Sequence, residues 1–251
     1  NKNNIDTDKF EENSYITIGS TEGSPIIYNT IYGGGINDKL NSTNIEVIGN
    51  NRNSYLKIYG ASNANSVIKT SNITTNGGYI AEIYGSGNTV GSVDTTNITL
   101  DRSTVQNVYG AGNRNSAKTT NIIAKSGNIT NIFGGARDID TAIENTNISV
   151  LNGNITNIYG AGLNNGAKKT NIIANATTQT SIIENIYGGA KDSGNVNETN
   201  VNILNGSVNN VYGGNQNGGY TINSKVNIQK TAEVKNKLFA GGQNSDIGTS
   251  G

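Results

Sequence analysis

The sequence predicts an all-β chain wound into a single parallel β-helix, about nine coils of ~26 residues with three short strands in each. Three observations carry that expectation. The first is a phrase of one aliphatic, one aromatic and one Gly or Ala, which recurs nine times. It begins as Ile31-Tyr32-Gly33, Ile58-Tyr59-Gly60, Ile83-Tyr84-Gly85, Val108-Tyr109-Gly110 and Ile132-Phe133-Gly134. It continues as Ile158-Tyr159-Gly160, Ile186-Tyr187-Gly188, Val211-Tyr212-Gly213 and Leu238-Phe239-Ala240. The aromatics are 27, 25, 25, 24, 26, 28, 25 and 27 residues apart, a fixed period that marks stacked repeats. The second is a Thr/Ser-Asn-Ile/Val phrase whose Asn follows each aromatic by 12 to 14 residues, as at Asn44, Asn72, Asn97, Asn121, Asn147, Asn171 and Asn200. The third is composition: Asn, Gly, Ile and Thr dominate and helix formers are scarce, which favours turns and strands.

Taken along the chain, residues 1–25 lie outside the repeat and read as an N-terminal cap or lead-in, with Phe10, Tyr15, Ile16 and Ile18 available to cover the first coil. Residues 26–251 are the repeat. One strand precedes each aromatic. Ile80, Val105, Ile129, Ile155, Ile183 and Val208 lie four residues upstream of it, with Tyr28 and Tyr55 in the first two turns. The next aliphatic comes three residues later, so a corner or bulge is expected between them. Asn131, Asn157, Asn185 and Asn210 sit there and suit a left-handed bend. A second strand carries the Thr-Asn-Ile phrase. Apolar residues spaced by two, such as Ile98 and Leu100 or Ile148 and Val150, give it the period of a half-buried strand. The threonine and isoleucine then face inward. The Asn faces outward or caps the strand; facing outward, its file would form an amide ladder that ends at Lys225.

A weaker third column, Leu40, Ile68, Val93, Ala117, Ile143, Ala167, Val196 and Ile222, supplies a third wall. Polar loops of variable length separate it from the aromatic phrase and, with residues 177–181, are expected to project outward. Right-handed winding is the default, by crossover chirality. Eight intervals of ~4.8 Å give a body roughly 40 Å long. Helical repeats, a leucine-rich repeat and a propeller each fail on periodicity or period. The chain starts at Asn1 without Met, and mostly polar residues follow the ninth phrase. The expectation is a segment of a longer protein, truncated at its C-terminal end.

Composition excludes several functions. With no Cys and no His, thiol catalysis, a Ser–His dyad and ordinary zinc sites are ruled out. Only 14% of residues are charged and the net charge is zero, against a basic nucleic-acid face. No apolar run approaches the ~18 residues that span a bilayer, so membrane insertion by this segment is not expected. Glu82 and Glu184 fall on equivalent strands four coils apart, near 19 Å, beyond the reach of a glycosidase pair. No catalytic residue, cofactor or metal is assigned. Asp138, Asp140 and Glu144 beside Arg137, and Asp192, Asn195, Asn197 and Glu198 two coils on, are oxygen-rich loops of a kind calcium uses, but they read better as solvated turns. Arg114 and Arg137 are placed to pair with Asp138, for about 0–1 kcal/mol. Asn-x-Ser/Thr triplets such as Asn72-Ile73-Thr74 are expected by chance in so Asn-rich a chain.

The aromatic file, Tyr32, Tyr59, Tyr84, Tyr109, Phe133, Tyr159, Tyr187, Tyr212 and Phe239, is either a sugar platform or a buried stack. Free exchange of Tyr for Phe favours burial, because a buried ring does not need its hydroxyl. The Gly that follows would let the chain turn beside the ring.

The aromatic-Gly and Thr-Asn-Ile columns together resemble the parallel β-helix repeats of bacterial cell-surface and secreted proteins, adhesin-like ones above all. The likeness covers about nine tenths of the chain. It implies a rigid, non-catalytic segment at the bacterial surface or outside the cell, acting in adhesion or as a presentation stalk. Its partner would be a host or neighbouring cell-surface protein or glycan. The contact residues expected are in the variable loops: Asn63, Asn65, Asn113, Arg114, Arg137, Asp138, Asp140, Asn164, Lys191 and Asp192, with their neighbours Asn115 and Asn165. The same architecture serves pectate-lyase-like and polygalacturonase-like enzymes, so a carbohydrate-active enzyme or its binding remnant is the alternative. A flat Thr/Asn face that orders water or a crystalline polymer is a third.

Overall fold

The computed structural model describes residues 12–19, 29–49, 55–178 and 180–248; Phe10 and Tyr28 lie outside them. The described residues are all-β. The strands begin as β1 (Asn13–Ile18), β2 (Thr30–Tyr32), β3 (Lys39–Ile48), β4 (Lys57–Tyr59), β5 (Ser66–Asn76) and β6 (Tyr79–Tyr84). They continue as β7 (Gly91–Asp101), β8 (Ser103–Tyr109), β9 (Ser116–Ala124), β10 (Gly127–Phe133), β11 (Ile143–Val150) and β12 (Asn154–Tyr159). The last are β13 (Ala167–Asn175), β14 (Ile182–Tyr187), β15 (Val196–Tyr212), β16 (Tyr220–Ile228), β17 (Ala232–Phe239) and β18 (Asp246–Ile247).

All pairings between these strands are parallel and fall into two ladders. The long ladder is β1, β3, β5, β7, β9, β11, β13, β15, β16 and β18. The short ladder is β2, β4, β6, β8, β10, β12, β14, β15 and β17. Successive members are one repeat apart in sequence, so the chain is a β-solenoid of about nine turns. Equivalent residues face each other rung to rung: Tyr84 pairs with Tyr109, Tyr109 with Phe133, and Asn97 with Asn121.

Alternation along each strand builds the interior. In β5 the buried residues are Ser66, Ile68, Ser71, Ile73 and Thr75. In β6 they are Ile80, Ile83 and Tyr84. Aliphatics of the two ladders meet in the main core, which runs the length of the molecule from Ile18 to Val211. Each such side chain contributes roughly 1.5–3 kcal/mol on burial. Beside it runs a seam. The inward hydroxyls of Thr43, Thr96, Thr120, Thr146, Thr170 and Thr199 donate to the carbonyl oxygen of the glycine after the next coil's aromatic, at 2.5–2.6 Å. Beyond the seam a smaller core of Ala136, Ile143, Ala161, Ala167 and their equivalents fills the end of each coil.

Five details differ from expectation. The third column is not a separate strand: Ile68 and Ile73 share β5, and the step of three between buried Ile68 and Ser71 turns a corner within it. Residues 13–18 of the expected lead-in form β1, which pairs in register with β3, Ile16 opposite Ile45. The short-ladder corner asparagines are not left-handed. Among described non-glycine residues only Asn37, Asn65 and Arg102 have positive φ. Asn131, Asn157, Asn185 and Asn210 instead form a second amide ladder, each Nδ2 donating to the Oδ1 one rung below at 2.9 Å. The glycine after the aromatic is not in the left-handed region. It is needed for close approach, because a Cβ on Gly134 would collide with the Gly160 carbonyl oxygen and sit 2.9 Å from the Thr146 Cβ. Finally, the polar loops stack before they project. Arg137 N bonds Gly112 O, Leu163 N bonds Ala136 O and Lys191 N bonds Gly162 O at 3.0–3.1 Å, a third backbone ladder that the loop sequences do not advertise.

The expected outer amide ladder is present. Asn72, Asn97, Asn121, Asn147 and Asn171 each donate to the asparagine below at 2.9 Å, and Lys225 stands opposite Asn200 at its upper end.

Candidate functional site

The stacked loops place the sequence-predicted residues on one edge of the solenoid. Asn63, Asn113, Arg137 and Lys191 each lie four residues after their aromatic; Arg114, Asp138, Asn164 and Asp192 lie five after. Backbone bonds join these positions vertically, with Asp138 N to Asn113 O, Asn164 N to Arg137 O and Asp192 N to Leu163 O each at 2.9 Å. The edge is therefore a rigid strip. Asn113 and Asn63 belong to a short amide run through Asn88, at 3.0 and 2.8 Å. Asn65 is exposed and left-handed, at φ 54°. Arg114 approaches Asp138 at 3.8 Å and Lys191 approaches Asp192 at 3.7 Å. Asp140 is exposed.

Two neighbours named with the loops are misassigned. Asn115 and Asn165 are buried. The Asn165 Oδ1 accepts from Ala136 N at 3.1 Å, and its Nδ2 donates to the carbonyls of Ile139 and Thr141 at 3.1 and 2.8 Å. It staples one loop to the next. Asn215 does the same for Ala190, Gly194 and Gly218. In a chain so rich in asparagine, nothing in the sequence distinguishes these from the exposed ones.

Behind the edge stands the aromatic file. Ile83 belongs to the main core and Gly85 faces Thr96 across the seam. Tyr84, between them, must point the other way, and the rings form a cluster of their own. Eight consecutive pairs stack at centroid separations of 4.6–5.3 Å and interplanar angles of 1–14°. The seven interior rings are buried, Tyr32 is half-buried and Phe239 is half-exposed. A sugar platform on the ring faces is thus closed.

Long side chains from the edge reach down over the ring hydroxyls. Tyr159 donates to Gln216 Oε1 and Tyr187 to Gln243 Oε1, both at 2.9 Å. Leu163 packs against the cluster that holds Phe133, which has no hydroxyl to satisfy. Arg137 NH1 donates to the Tyr84 hydroxyl at 3.2 Å and lies 3.8 Å from Glu82 Oε1, so it does not make the expected pair with Asp138. Glu82 is also held by Lys57 Nζ at 2.7 Å. This pair replaces two asparagines at the lower end of the short amide ladder.

Burial of the rings pushes the tyrosine hydroxyls up: Tyr109 to about 12, and Tyr59, Tyr84 and Tyr159 further. For Tyr84 the Arg137 hydrogen bond pulls back part of the rise. The file is therefore a row of neutral donors and acceptors rather than of bases. The carboxylates are dispersed among cations. Glu144 meets Lys168 at 3.4 Å and Glu198 meets Lys169 at 3.0 Å. Among the described residues no group of three acidic side chains is gathered for a metal. Glu82 and Glu184 are four rungs apart, and the register partner of Glu82 on β14 is Asn185, not Glu184. No family model, no curated protein and no solved structure matches this chain.

Proposed function

We propose that this chain is a rigid, non-catalytic segment of a larger bacterial surface or secreted protein, acting in adhesion or as a presentation stalk. The observation that carries the reading is the unbroken register of the ring file. It fixes the loop edge behind which it stands, so that side chains such as Arg114, Asp138, Asn164 and Asp192 recur at rung height. Weak contacts held in register act together and gain avidity without any one being strong. The partner is a host or neighbouring cell-surface protein or glycan, met outside the cell. The burial of the tyrosine rings and the pairing of Glu82 with Lys57 and Arg137 speak against an acid–base couple at the ring file, and so against the lyase or hydrolase alternative there.

The test is a cell-binding assay with a variant in which Asn63, Arg114, Asp138, Asn164, Lys191 and Asp192 are all replaced by serine. These side chains do not enter the core, so the fold should persist by circular dichroism. Loss of adhesion is expected. Undiminished adhesion by a folded variant would reject the loop edge.

A further inference from the structure

A groove of about 330 Å³ lies on a different face, along the outside of the short ladder. That volume is at the lower end of the range used for small ligands. One side is a column in register, Thr104, Asn128, Asn154 and Ile182. The other side is formed by Thr130, Thr156 and Glu184, each two residues further along its own strand and so on the same face. Asn128, Thr130, Asn154 and Thr156 are exposed, and the Ile182 side chain is 49% exposed.

We infer that this groove binds a neutral oligosaccharide laid along the solenoid axis. The inference rests on the glycan arm of the proposed function but not on the loop edge. Its chemistry is that of sugar recognition. Asn and Thr offer amide and hydroxyl groups that both donate and accept. Asn154 Nδ2 donates to Asn128 Oδ1 at 3.1 Å, which fixes the amides without exhausting them. Glu184 Oε2 accepts from Asn209 Nδ2 at 2.5 Å, and its Oε1 has no bond among the described residues. That oxygen is an acceptor for a sugar hydroxyl. Ile182 offers methyl groups to the C–H face of a ring. No Lys or Arg lines the groove, so an acidic sugar would meet a carboxylate and no cation. The Asn-x-Thr pair repeats on β10 and β12, one rung apart, so successive sugar units would meet equivalent partners.

Isothermal titration of the intact chain with cellohexaose, mannohexaose and chitohexaose tests the inference. At least one should bind. Glu184→Ala should weaken it about tenfold or more, and Thr156→Arg, which fills the groove from an exposed position, should abolish it. Thr156→Ser should retain binding, and Lys118→Ala, on another face, should leave it unchanged. Circular dichroism verifies that each variant is folded. Absence of binding by all three saccharides overturns the inference, as does equal binding of an oligogalacturonate. Saccharide binding that survives Thr156→Arg but is lost in the loop-edge variant would overturn the groove while leaving the adhesive reading in place.

Discussion

A threonine hydroxyl and a glycine carbonyl set the distance between the walls of each coil. Between stacked coils the seam leaves no room for a Cβ at the glycine, where the next coil's carbonyl oxygen would meet it, and it wants a donor opposite that carbonyl. Where the donor is Ser71 rather than threonine, its Oγ is buried and without a partner. Ser71→Thr should therefore stabilise the chain by about 1 kcal/mol, through one hydrogen bond to Gly85 and one buried methyl. Thr146→Val should cost about 1–3 kcal/mol, because the Gly160 carbonyl loses its donor. Chemical denaturation reads both. The tyrosines give a second test at this scale. Tyr109 holds its proton up to about 12, against an ordinary value of 10.0. The folded chain thus stays protonated where the unfolded chain ionises. The stability this contributes is fully present below pH 10 and drains away as the pH rises toward 12. Alkaline titration followed by tyrosinate absorbance should show the buried rings ionising together with unfolding, not before it.

At the scale of elements, the amide ladders and a charge file govern register. Asn147 donates to Asn121 and accepts from Asn171. Asn147→Asp keeps the acceptor and loses the donor. The deficit should be about 1–3 kcal/mol at neutral pH and should shrink below pH 4, where a protonated carboxyl can donate again. At a corner of the long ladder, Lys69, Asp94, Lys118, Glu144 and Lys168 occupy successive rungs with alternating sign. Lys118 meets Asp94 at 2.6 Å and Lys168 meets Glu144 at 3.4 Å. Lys118→Glu puts three acids in line. The exposed setting keeps the loss small, and added salt should reduce it further. The two strands, the inward threonines and the outer amide ladder were legible in the sequence, because each recurs in nearly every period with one residue type, Ser71, Ser224 and Lys225 being the exceptions. The short amide ladder was misread as a set of bends. Asparagine suits both roles, and only rung-to-rung distance separates them.

At the scale of the molecule, stability is a sum of like rungs. Removing residues 134–159, one full period, joins Phe133 to Gly160 and restores every column. The shortened chain should fold and unfold cooperatively, with a lower unfolding free energy but the same circular dichroism per residue. Removing half a period displaces the inward set and should abolish folding. The number of turns followed from the spacing of the aromatics. The site did not, because contact geometry depends on which loop side chains reach down. Gln216, Gln243 and Arg137 act two coils below their own position, and no local pattern encodes that reach.

The threonine seam has a direction. Each hydroxyl finds its acceptor only on the coil that follows it in the chain. A polypeptide delivered from its N-terminus, out of a ribosome or through a narrow export pore, can therefore close one turn at a time. It leaves a single waiting hydroxyl at the growing front, and the arrival of the next turn is what seals the last.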